Sequence, residues 1–97
     1  MNKLLIAAST ALLAFAPIGA QASVRDTVVA ATAVSFCNYQ MGHMSIQEAS
    51  RFGTKYLTNA GISLNQSDAI MDSPSFNDEV VDAIYAGGGC EKITEDF

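Results

Sequence analysis

Two thioethers and an imidazole fall within four consecutive positions, Met41-Gly42-His43-Met44. Thioether sulfur and imidazole suit Cu(I), and copper handling is a task of exported proteins. The same residues also have a plain structural reading. Met41 can end an apolar helical stripe, and His43 falls on the turn that follows. Met44 stands just before Ser45, where an apolar side chain staples a helix start. No cofactor is assigned; Met41, His43 and Met44 are kept as the metal candidates.

The other reactive side chains are two cysteines, Cys37 and Cys90. Their compartment follows from the first 22 residues. Lys3 makes the extreme N-terminus positive, Leu4 to Ala16 is apolar apart from Ser9 and Thr10, and Pro17 and Gly19 break the helix. Ala20-Gln21-Ala22 then supplies a small-x-small cleavage site. That order is a secretory signal peptide. The apolar run is too short for a membrane-spanning helix, which needs about 20 residues. No cysteine follows the cleavage site, so the lipoprotein arrangement is absent. Residues 1–22 are therefore read as a cleaved signal and 23–97 as one small domain in an oxidising compartment, periplasmic or secreted. There a single pairing, Cys37 with Cys90, is expected as a structural disulfide. No C-x-x-C spacing offers a redox pair, and no four-ligand set offers zinc. Closing so long a loop is worth about 4 kcal/mol in the chain-entropy model. A domain of this size is helped by such a staple, because it buries only about 60 % of its unfolded surface.

Residues 23–97 carry four basic side chains (Arg25, Arg51, Lys55, Lys92) against ten acidic ones, a net charge of −6. Polyanion affinity comes from clustered Lys and Arg, so nucleic acid and anionic membrane surfaces are set aside as partners. Asp72, Asp78, Glu79 and Asp82 lack the alternating oxygen-ligand loop of a Ca²⁺ site. Asp78 and Glu79 instead suit a first helical turn, where negative charge complements the dipole. Asn65-Gln66-Ser67 matches a glycosylation sequon, expected to be unused because the signal peptide looks bacterial. With one His and no nucleophile elbow, zinc-protease motif or phosphate loop, the chain is read as not an enzyme.

The elements that must position these residues all read as helices. Helix one is expected over 24–41, capped by Ser23 with Asp26 in the capping-box position and stopped by Gly42. Its apolar residues, including Phe36, Tyr39 and Met41, spread around most of the circumference, which places it centrally. Ser45 and Glu48 form a second capping box, and Gly61 stops helix two. Ile46, Ala49, Gly53, Tyr56, Leu57 and Ala60 share its packing face, with a Glu48/Arg51 ion pair on the wet face. A connection over 62–66 leads to a short helical turn capped by Asn65 or Ser67. Ser73-Pro74 then opens a last helix to Ala86, with Phe76, Val80, Ala83 and Ile84 on one side. Gly87-Gly88-Gly89 ends it and lets Cys90 reach back, and 91–97 is expected as a frayed tail. The fold class is all-α, a bundle of three to four helices stapled by one disulfide.

A cysteine near the first helix end, the turn and helix Gly42-His43-Met44-Ser45-Ile46-Gln47-Glu48-Ala49, and a second cysteine some fifty residues on form a recurring plan. It resembles the HdeA/HdeB acid-stress chaperones of the bacterial periplasm, and also small secreted proteins of uncharacterised function in Gram-negative bacteria. Here Cys37 follows Ser35-Phe36 rather than Trp-Thr, so the resemblance implies architecture and transfers no functional residue. Three functions are carried forward. The first is a non-enzymatic interaction protein, chaperone-like toward an unidentified partner or client. The second is a copper carrier using Met41, His43 and Met44. The third is an accessory protein without a ligand.

Overall fold

In the computed structural model, residues 23–95 are described; the expected signal peptide lies outside them. Over those residues the chain is all-helical. Five helices follow in order: α1 Val24–Gln40, α2 Ile46–Asn59, α3 Leu64–Met71, α4 Phe76–Ala86 and the single turn α5 Cys90–Ile93. The fifth exceeds the expected three to four, and it occupies chain expected to be frayed. No described helix is long and apolar enough to cross a membrane.

α1 is the central element. It touches each of the other four helices. It buries Val28, Val29, Ala30, Ala31, Ala33 and Cys37. The alanines let neighbours approach closely from several directions. Leu57 of α2, Ile62, and Phe76, Val80 and Ala83 of α4 complete the core, with Tyr56, Ile70 and Ile84 packed against it. The expectation of burial all round α1 fails at its C-terminal end, where Phe36, Tyr39 and Met41 are exposed. Ile46 at the start of α2 and Ala60 at its C-cap are likewise exposed, and the helix buries only Ala49 and Leu57.

Glycine closes three helices in the same way. Gly42, Gly61 and Gly88 have φ of 78°, 80° and 94°. Each donates to a carbonyl three residues back, and the next residue donates five back: His43 to Asn38, Ile62 to Leu57, and Gly89 to Ile84. This paired closure is the Schellman motif, which needs a residue tolerant of left-handed backbone.

The caps depart from expectation in three places. The Ser23 hydroxyl accepts from the Asp26 N–H as expected, and the Ser45/Glu48 box is complete. Glu48 is thereby turned back onto the Ser45 amide, and the expected Glu48/Arg51 ion pair is absent among the described residues. α3 begins earlier than expected. Ser63, not Asn65 or Ser67, is its cap, with Gln66 returning the bond to the Ser63 N–H. Ser67 is buried and its hydroxyl donates to the Leu64 carbonyl. Ser73 does not cap α4, which starts at Phe76 after a Ser73-Pro74-Ser75 turn.

The Cys37–Cys90 disulfide joins the last turn of α1 to α5 with a Cα–Cα separation of 4.9 Å. The tail is packed rather than frayed as far as Thr94. Ile93 lies over Gly87, where an added Cβ would come within 2.9 Å of its Cγ1. Thr94 is fully buried, its hydroxyl donating to the Cys90 carbonyl at 2.7 Å.

Candidate functional site

The Schellman turn after α1 fixes the placement of the metal candidates. The amides of His43 and Met44 both donate to the Asn38 carbonyl, at 2.9 and 3.2 Å. Met41 and His43 then line a shallow cleft of about 510 Å³ with Gly88, Glu91, Lys92, Thr94 and Glu95 from the tail. Met44 is half-buried and is not part of that lining. Lys92 pairs with Glu95 at 3.3 Å. Among the described residues no group of three or more His, Cys, Asp or Glu is placed to hold a metal ion.

A polar clasp forms where the sequence offered only a scattered base and a helix-start carboxylate. Arg25, in the first turn of α1, donates through Nε to Glu79 Oε1 at 2.8 Å and through Nη2 to Glu79 Oε2. The same Nη2 donates to Ser73 Oγ at 2.8 Å, and Ser75 Oγ donates to Glu79 Oε2 at 2.9 Å. Residues 54 apart in sequence thus tie the start of α1 to the start of α4. The hydrogen bonds from Arg25, then that from Ser75, hold the Glu79 carboxyl below its ordinary range against a smaller opposing effect of desolvation. Glu48 is lowered in the same sense, first by the Ser45 amide and then by the Ser45 hydroxyl.

A second cleft, of about 360 Å³, opens between α1, α2 and α3. Small, buried or half-buried residues make its floor: Ala31, Thr32 and Ser35 of α1 with Ala49 and Gly53 of α2. Large apolar side chains make its rim. Phe36, Tyr39, Ile46, Leu64 and Met71 all line it and are between 39 % and 63 % exposed. Five of the nine exposed large hydrophobics among the described residues thus converge on one place. Arg51 and Lys55 are on α2 but do not line it; Asp68 is the charged residue that does. Sequence reading counted Phe36, Tyr39 and Ile46 as core. The available signal was the small-residue run at one face of α1 opposite Gly53, which leaves a gap that large neighbours border but do not fill.

No protein-family model, no curated protein and no solved structure matches the chain.

Proposed function

We propose that this chain is an exported, non-enzymatic interaction protein whose fold is loosened by acid, in the manner of a periplasmic acid-stress chaperone. The observation that carries the reading is the Arg25–Glu79 clasp between the ends of α1 and α4. A carboxylate depressed in the folded state stabilises fully above its unfolded value, about 4.3 for Glu. That stabilisation is lost as pH falls through the depressed folded value. Glu79 and Glu48 are both depressed, so both act in the direction of acid loosening. Protonation of the ten carboxylates also turns the net charge of 23–97 from −6 to positive, adding self-repulsion.

Opening at the clasp frees α4, whose Phe76, Val80 and Ala83 would then be available to clients. The disulfide is expected to hold the opened chain together through α1 and α5. Near- and far-UV circular dichroism from pH 7 to 2, with a client aggregation assay at each pH, tests this. The expected outcome is loss of tertiary signal below about pH 4 with protection of client. An unchanged near-UV spectrum and no protection at pH 2 would reject it.

A further inference from the structure

We propose that the cleft between α1, α2 and α3 binds a cationic amphipathic segment of another protein, apolar face inward and a Lys or Arg against Asp68. The inference concerns the folded chain at neutral pH and stands whether or not acid opens the fold. Three observations point to this occupant. The rim residues Phe36, Tyr39, Ile46, Leu64 and Met71 are large, apolar and gathered on one side, and a gathered exposed apolar patch marks an interaction site. The floor is built from Ala, Ser, Thr and Gly, so the space lies open to inserted side chains rather than being filled from within.

Charge then selects among apolar partners. Asp68 lines the cleft, is exposed, and makes no ion pair among the described residues; no basic side chain lines the cleft with it. Phe36 and Tyr39 add two aromatic rings, whose faces attract Lys and Arg cations. A second copy would bring the same acidic charge, −6 over residues 23–97, and is disfavoured, as is an anionic lipid surface. A helix or strand with an apolar face and basic flanks satisfies both the rim and Asp68. Apolar anchors would supply most of the affinity, and the carboxylate would supply orientation and charge discrimination.

The test is titration of the isotope-labelled, disulfide-bonded exported chain with three short synthetic peptides, followed by NMR and calorimetry at pH 7. One is an amphipathic Leu/Lys peptide, one replaces Lys by Glu, and one scrambles the Leu/Lys sequence to destroy the apolar face. The Leu/Lys peptide should bind, with shifts concentrated at Phe36, Leu64 and Met71. The other two should bind at least roughly tenfold more weakly. Asp68→Asn should weaken the Leu/Lys peptide about threefold, in line with one partly exposed ion pair. Ile46→Ser and Leu64→Ser should each weaken it roughly tenfold. Both positions are more than half exposed, and unchanged circular dichroism checks that these variants fold. Equal binding of the Glu peptide, equal binding of the scrambled peptide, or no binding at all overturns the proposal. So does self-association that moves the same resonances without peptide.

Discussion

Gly53 of α2 lies tightly against Ser35 of α1. A Cβ added at Gly53 would lie 2.8 Å from Ser35 Oγ and 3.7 Å from Ser35 Cβ. The hydroxyl alone is in the way, and it is buried without a partner. Gly53→Ala gains helix propensity of about 1 kcal/mol but must displace that hydroxyl. In a Ser35→Ala background the obstacle is gone. The double variant is therefore expected to be more stable than the parent by about 1 kcal/mol, and Gly53→Ala alone by clearly less. A double-mutant cycle from urea denaturation checks this, and zero coupling would contradict the packing account. Glu79 gives the second residue-scale expectation. Glu79→Gln should lower the melting temperature at pH 7 and flatten its fall with acid, so that variant and parent converge below about pH 3. Parallel melting curves from pH 7 to 3 would show that the clasp contributes nothing to pH dependence.

Among the elements, α3 depends most on its cap, because it has eight residues and buries only Ser67 completely. Helices this short are marginal without tertiary support or capping. Ser63→Ala removes one half of the box with Gln66 and should cost about 1 kcal/mol, whereas Asn65→Ala should be nearly neutral. Thermal denaturation of the two variants distinguishes Ser63 from Asn65, one of the two caps expected from the sequence pattern. The reverse result would restore Asn65 as the cap. α4 shows the opposite balance. It has no side-chain cap bond at Ser75, yet Phe76, Val80 and Ala83 enter the core. Burial on one face, with the clasp at its first turn, does what a cap does for α3.

At the scale of the whole molecule the disulfide and the tail act together. Cys37–Cys90 closes a separation of 53 residues, and α5 has only four residues of its own. Its docking rests on the bond, on Ile93 over Gly87 and on buried Thr94. Replacing both cysteines by serine is expected to cost about 4 kcal/mol and to release α5 before the rest unfolds. Hydrogen exchange of the Ile93 and Thr94 amides, bonded to the Gly89 and Cys90 carbonyls, reads the release directly. Parent-like protection of Thr94 in the double serine variant would show that the tail holds without its staple.

Local rules were enough for much of this protein. Gly42 and Gly61 stop helices because only glycine takes that backbone cheaply, Ser23 and Ser45 cap them through bonds spanning three residues, and the spacing of Phe76, Val80 and Ala83 marks one buried face. A lone pair of cysteines behind an expected export signal had one intramolecular partner each. These features depend on neighbours a turn away, or on simple counting, and so they are written in the order of residues. The Arg25–Glu79 clasp, the exposure of Phe36, Tyr39 and Ile46, and the packed tail depend on residues brought together from distant parts of the chain. Helical periodicity gives each helix an apolar side but does not say how far along that side a neighbour reaches. Only the crossing of α1 with α2, held close at Gly53, and the arrival of α3 decide that those side chains border an open cleft and leave Asp68 alone at its edge.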